Sequence, residues 1–422
     1  MANSFDSNFT RKLAKTFLKK FETSRVLSKN VDTQLLSGRF TPDAGDTVDF
    51  KRPTDYTSER TSNGDISAVG AKDIVTGKAS GTVQNYFTVH VNYDEADEAI
   101  KMDQLDELLA PAAQRIVTDL EVDFASYMMK NAGLLAGSVG TAVDAWADVA
   151  EAGAVMTSHG IPQDQGWCYA VNPYTQATLS GVQAALGAND KLVGSAHERA
   201  IISSNFAGMK VMTATTLSTY TLPATGDLIG AINGSPTVTY AGAKDTMTQS
   251  IPVDGFGTFS GTIPAGTVIK ITGRNRLNLS TRQPIVDASG ANVTFSAVLT
   301  ADATLTSGAG TFVVSGPAIY EATGAYNTVD SALANDDVVT IQGADSTMYQ
   351  PNLFWHKQAF SIGSVPIKKL YSTDTLATTK DGLQIRVSKY ADGDKNQQKV
   401  RFDLRPAYAT LNPFFAGQGY GK

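Results

Sequence analysis

The sequence predicts an α+β body into which an all-β, barrel-like domain has been inserted. Three observations carry that reading. From Asp103 to about Ala132 apolar residues recur at 3- and 4-residue spacing, the mark of a long amphipathic helix. At Leu222 the texture changes abruptly. As far as Tyr349 helical periodicity is nearly absent, 20 Thr fall within residues 221–350, and short β-rich runs alternate with Gly, Pro, Asn and Asp turns. From Phe354 a mixed α/β texture resumes, so the β-region interrupts the body rather than following it.

Length and composition set the limits. At roughly 150 residues per domain, 422 residues suggest two or three domains. The 37 Gly and 15 Pro are ordinary usage and exclude a collagen-like or wholly disordered chain. Charged residues make up only 18 %, against roughly 25 % in an average soluble domain. Thr, Ser, Asn and Gln replace the missing charge, a surface suited to β-structure and to packing against other chains. The single Cys168 excludes an intrachain disulfide and a cysteine-based zinc or iron–sulfur site. Asp144, Asp148 and Glu151 interrupt the most apolar helical stretch, so no membrane span is expected. The start MANSFDSNF lacks the apolar core of a secretory signal, and a cytosolic product is expected.

The net charge of −6 is unevenly distributed. Residues 1–30 carry +5 and residues 351–422 carry +6, while residues 61–220 carry −10. Basic ends and an acidic middle favour contacts between copies or with partners of opposite field.

Taken in order, Phe9, Leu13, Phe17 and Phe21 recur every four positions between lysines and arginines, predicting a basic amphipathic helix from Asp6 to Thr23 with Ser4 or Asp6 as N-cap. Two readings are open for it. It either docks on its own core with a solvated basic face, or serves as an arm that docks on a neighbour or an acidic partner. The runs around Val48 and from Gln84 to Tyr93 read as strands, with Phe87, Val89 and Val91 on one face. Between them lies a long polar, Gly-punctuated excursion. The helix from Asp103 would span about 40 Å at ~1.5 Å per residue. Pro111 either kinks it or opens a new first turn near Ala110. A second helix from Val143 stops at Gly160 and Pro162. GWCYAV reads as a buried strand followed by a helix capped by Asn172, and KVMTATTLSTY from Lys210 as a further strand. After the β-region, residues 383–410 form a two-stranded hairpin.

Motifs for chemistry are absent. His90, His159, His197 and His356 show no metal-ligand spacing and read as structural or surface histidines. No nucleophile elbow, zinc-protease helix or phosphate-binding loop occurs, and GFGTFSG at Gly255 is a turn in β-structure. The acidic run from Asp94 to Glu107 reads as a solvated helix approach. Asp392, Asp394 and Asn396 with Asp403 imitate part of a calcium loop, but Gln397 stands where its Gly belongs, so a hairpin turn is the reading. Cys168 reads as core. By elimination the chain is a structural or interaction protein, with no cofactor.

The order of pieces resembles the major capsid (coat) proteins of tailed bacteriophages, with the Hong Kong 97-type fold, in the podovirus-type branch that carries an inserted β-domain. The stretch GTIPAGTVIKITGRNRLNLSTRQP from Gly261 with ANVTFSAVLTADATLTSGAGTFVVSGPAI is similar to that family's insertion domain, and RFDLRPAYATLNPFFAGQG from Arg401 to its final strand and tail. The resemblance implies an N-terminal arm at residues 1–44, an extended E-loop at 45–93, a P-domain spine helix at 94–141, an A-domain at 142–221 and 350–382, the inserted β-domain at 222–349, and P-domain return strands with the tail at 383–422. It implies a subunit of pentamers and hexamers in an icosahedral head around double-stranded DNA, held without sequence-specific binding. Assembly in the host bacterial cytoplasm would pass through a procapsid with a scaffolding protein, a portal protein at one vertex and a possible decoration protein. Candidate contacts with a scaffold or neighbour are Arg11, Lys12, Lys15, Lys19 and Lys20. E-loop candidates are Glu59, Arg60, Lys72, Asp73 and Lys78. Some relatives crosslink an E-loop Lys to an Asn of the next subunit. No motif for that chemistry is present here and none is expected. Two other readings stay open: a tail component or adhesin with a β-domain, and an enzyme whose site is gathered from distant residues.

Overall fold

In a computed structural model of the chain, the residues described are 5–33, 47–52, 58, 60–67, 74–94, 105–164, 166–185, 202, 205–322, 324–371, 374–392 and 397–422. The chain divides into two compact units. The first comprises residues 1–48, 80–125 and 360–410, and the second residues 49–79, 126–359 and 411–422.

In the first unit, helix α1 (Phe5–Ser24) lays Ala14, Phe17 and Phe21 into the core, and the Phe17 ring stacks on Phe402 with centroids 4.8 Å apart. Of the two readings left open for this helix, docking on its own core is the one found. Asp6 lies inside the helix rather than capping it, and Ser4 lies outside the described residues. The sheet beneath is antiparallel, in the order β19 (Thr375–Thr378), β20 (Gln384–Asp392), β21 (Gln397–Leu404), β3 (Phe87–Asp94). Its apolar face follows from the two-residue period: Ile385 pairs with Leu404, Val387 with Phe402, and Phe402 with Val89. A second sheet runs β1 (Thr47–Lys51), β2 (Lys78–Val83), β22 (Pro406–Thr410), β18 (Phe360–Ser364). Strand β2 corrects the reading of residues 78–83 as part of a polar loop.

Helix α2 (Leu105–Asn131) is 27 residues long and continuous through Pro111, which therefore opens no new turn. Burial of Ala112, Ala113, Ile116, Val117, Leu120, Phe124 and Ala125 outweighs the one backbone bond that proline removes. The buried Glu121 carboxylate accepts from the Leu27 amide at 2.7 Å, the Ser28 amide at 3.1 Å and the Ser28 hydroxyl, which ties the turn after α1 to this helix.

The second unit is built on a five-stranded mixed sheet in the order β4 (Leu134–Ala136), β23 (Ala416–Gly419), β17 (Asn352–His356), β5 (Trp167–Val171), β6 (Lys210–Thr213). Helices α3 (Trp146–Ser158) and α4 (Pro173–Ala185) contribute Val149, Ala152, Met156 and Leu179 to its core. The α3 start is fixed by the Asp148 carboxylate, which accepts from the Asp144 and Ala145 amides at 3.0 Å. Asn172 caps α4 as expected, through the Thr175 amide at 2.7 Å. Cys168 is buried in β5, where burial pushes its thiol up to about 11. Residues 352–364 form two strands rather than mixed α/β structure. Phe360–Ser364 and Thr375–Thr378 pair with the closing strands, whereas the tail, at β23, joins the five-stranded sheet.

The insertion enters and leaves through one ribbon. Strand β7 (Tyr220–Thr221) pairs antiparallel with β16 (Met348–Tyr349), Thr221 opposite Met348 and Tyr220 opposite Tyr349. Between these ends a six-stranded barrel closes in the order β11 (Val268–Asn275), β12 (Thr294–Leu299), β14 (Gly310–Ser315), β9 (Thr248–Asp254), β8 (Ile229–Ile232), β15 (Val338–Ile341). Ile251, Val253, Ile269, Ile271, Phe295, Phe312, Val314, Val339 and Ile341 are buried in it. A short pair, β10 (Gly261–Ile263) and β13 (Ala303–Leu305), and one turn of helix, α5 (Tyr240–Ala243), flank it. The expectation of an α+β body carrying an inserted β-barrel is met.

Candidate assembly surfaces

Helix α1 separates its two kinds of side chain. Phe17 and Phe21 point into the sheet, so Arg11, Lys15 and Lys19, spaced by four, fall on one stripe of the opposite side and are exposed with Lys20. The Lys12 side chain lies outside the described residues. The helix end is held by Glu22, which accepts from the Lys380 amide at 2.8 Å, and by Arg25, which reaches Asp381 at 2.9 Å. The result is a fixed helix presenting a row of cations to its surroundings.

In the excursion, Arg60 is exposed and so is each residue from Thr61 to Ser67. Asn63 and Asp65 turn the backbone locally, accepting from the Asp65 and Ser67 amides at 3.1 and 2.9 Å. Glu59, Lys72 and Asp73 lie outside the described residues. Lys78 is exposed, its ammonium lies 2.9 Å from Asp49 on the neighbouring strand, and that hydrogen bond holds it above its ordinary pKa.

Two polar groups carry the interior: Asp403, noted in the sequence only for its place in the imitation of a calcium loop, and Arg276, which the sequence did not single out. Asp403 is fully buried and accepts from Thr88 at 2.7 Å, from Arg401 at 2.7 Å and from two nitrogens of Arg386 at 3.0 and 2.5 Å. Burial acts to raise its pKa, but these bonds to the charged form outweigh it and the group lies below 3.8. Arg276 leaves the barrel, donates to the Gly133 carbonyl at 2.9 Å and to the Ser296 carbonyl, and lies over the Phe295 ring at 4.4 Å. Burial lowers its pKa to about 9. Its partners are far off in sequence, so no local signal marks it.

Of the histidines, His356 lies 3.0 Å from Asp164, His90 is 3.1 Å from the Tyr390 hydroxyl, and His159 holds the Val155 carbonyl at 2.7 Å. Burial, reinforced by the Arg276 charge, pushes His159 down to about 4. His197 and most of the acidic run after Asp94 lie outside the described residues. Among the described residues, no three acidic, histidine or cysteine side chains are grouped to hold a metal ion.

Neither unit offers, among the described residues, a converging set of reactive groups on which to base a reaction. Comparison with known proteins points to the same class as the order of pieces. The family described as P22 coat protein, gene protein 5, matches residues 1–421. A major capsid protein of Acyrthosiphon pisum secondary endosymbiont phage 1 is 38 % identical over 426 residues, covering 100 % of both chains. Among solved structures, one from Mycobacterium phage Che8 is similar at a TM-score of 0.46 and 12 % identity, covering 93 % of this chain and 90 % of its own. The capsid of Ralstonia phage GP4 is similar at 0.43 and 11 % identity, covering 95 % and 91 %. The two sequence matches span essentially the whole length, and on them the chain belongs to the P22 coat-protein family.

Proposed function

We propose that this phage coat protein closes into pentamers and hexamers of an icosahedral head that encloses double-stranded DNA without reading its sequence. The observation that supports this most is the match to a major capsid protein over the full length of both chains. A tail component or adhesin would not share that match from end to end.

Within this reading, the first unit's helix α2 with the β19-β20-β21-β3 sheet is the P-domain. The five-stranded sheet with α3 and α4 is the A-domain, and the excursion between β1 and β2 is the E-loop. The exposed row Arg11, Lys15, Lys19 and Lys20, with Lys12 in the same helix, is offered to an acidic surface of a scaffolding protein or a neighbouring subunit. Exposed charges of this kind set register and encounter rate while contributing little affinity each, so a misplaced subunit can leave. Glu59, Arg60, Lys72, Asp73 and Lys78 are the E-loop contacts. A portal protein at one vertex and a decoration protein on the outer surface complete the set of partners, and assembly takes place in the host cytoplasm.

Electron microscopy of the overexpressed protein tests the reading. Shells, tubes or rings are expected, without covalent ladders on a denaturing gel. A particle that stays a small monomer at high concentration, with or without co-expressed scaffold, would overturn it.

A further inference from the structure

We infer that the inserted β-domain, through its α5 segment, fastens the root of the excursion, residues 75–78, and fixes where that loop starts out from the barrel's flank. Contacts of three kinds converge there. The Asp245 carboxylate accepts from the Lys78 amide at 3.2 Å, and the Lys244 ammonium donates to the Thr76 carbonyl at 3.3 Å. Between these two bonds Gly77 lies directly on the Lys244 backbone, where a Cβ would run into its carbonyl oxygen. Beside them Val75 packs on the small cluster of Tyr240, Ala243 and Ile319. The tyrosine rings Tyr240 and Tyr326 stack with centroids 3.6 Å apart in the same cluster.

Both sides of the contact are held rigid. On the inserted domain, Thr239 caps α5 by accepting from the Gly242 amide, and the Tyr240 amide is bound by Glu321 at 2.9 Å. On the excursion, the Gly77 carbonyl accepts from the Arg52 amide at 2.8 Å. The Arg52 guanidinium donates to the Lys78 carbonyl at 3.0 Å and the Leu411 carbonyl at 2.5 Å. The two strand ends that bound the loop, at Arg52 and Lys78, are thereby tied to each other and to α5. Asp245 and Lys244 are partly exposed, so their bonds are weak individually. The fit of Gly77 and the packing of Val75 supply the specificity, and the fastening can open without unfolding the barrel.

The significance for assembly rests on the reading of the excursion as an inter-subunit contact, but the fastening itself is testable on unassembled subunits. Hydrogen exchange of the full chain is compared with the double variant Lys244→Ala, Asp245→Ala and, separately, Gly77→Ala. In both, amides of residues 75–80 are expected to exchange about tenfold faster or more, while strands β9 and β11 keep their protection. Unchanged exchange at 75–80 in both variants would overturn the inference. So would equal acceleration throughout the barrel, which would mean only that the domain had been destabilised. Faster exchange at 75–80 with unaltered shell formation would uphold the fastening and count against the excursion as an inter-subunit contact.

Discussion

Two buried groups show what single residues contribute. Glu121 meets three donors from Leu27 and Ser28 and has no exposure to spare. Replacing it with Ala leaves two amides buried without partners, and the subunit is expected to lose about 3 kcal/mol. Urea unfolding of unassembled subunits measures this, and a loss below about 1 kcal/mol would show that water replaces the carboxylate. His159 makes a pH-dependent contribution whose sign is fixed. Its folded pKa is depressed from 6.5 to about 4. The unfolded chain therefore takes up a proton below pH 6.5 that the folded chain refuses until about pH 4. Stability falls as pH drops through that window, by up to about 3 kcal/mol, and is insensitive to this group above it. In His159→Asn the same window is expected to be flatter in a series of melts. Neither role was legible in the sequence. Glu121 stands in an amphipathic helix as any solvent-facing acid would, and its partners lie in a turn that only the fold brings to it.

Among the elements, those with a local period were the legible ones. The stripe Ile116, Leu120, Phe124 identified α2, and short β-rich runs set between Gly, Pro, Asn and Asp turns identified the barrel strands. Strands β17 and β18 were misread because every residue in them is buried. With both faces apolar the two-residue period vanishes. Strand β2, KASGTV, is short and contains Gly, and its strand character comes from pairing Thr82 and Val83 with Tyr408 and Ala407. Texture showed that the β-region interrupts the body, but not that its ends meet, which the β7–β16 ribbon brings about. Cross-strand partners lie about 5 Å apart, so residues 222–347 can be exchanged for a short Gly-Ser linker. The shortened chain is expected to keep its far-ultraviolet spectrum for the remaining elements and to unfold cooperatively. Its midpoint should be lower, because Gly133 and Asn131 lose the Arg276 and Ser315 donors that reach them from the barrel. An aggregated or unfolded product would show that the barrel is integral to the body.

At the scale of the whole molecule, the low charge and its polarity were readable from composition, and so was the class of protein. Which faces carry the charge was not, since that depends on α1 lying apolar side down on its own sheet. The triple substitution Arg11→Gln, Lys15→Gln, Lys19→Gln leaves Phe17 and Phe21 in place, so the subunit melt is expected to be unchanged. Light scattering should show assembly slowed severalfold at low salt, with the difference vanishing near 1 M salt, where the screening length is about 3 Å. Equal assembly rates at low salt would mean that this row faces no acidic partner.

The place of β23 bears on how the chain is made. It lies between β4 and β17, with Gly417 pressed against the Phe354 ring and the ladder to β4 running through residues 417–419. Strand β4, at residues 134–136, must therefore wait for about 280 further residues to be synthesised before its neighbour exists. At about 5–20 residues per second the delay is tens of seconds. Throughout it β4 stands as an open edge on the ribosome, joined by β17 only for about the last 60 residues, and the waiting chain, rather than the finished subunit, is the species most in need of protection from its neighbours.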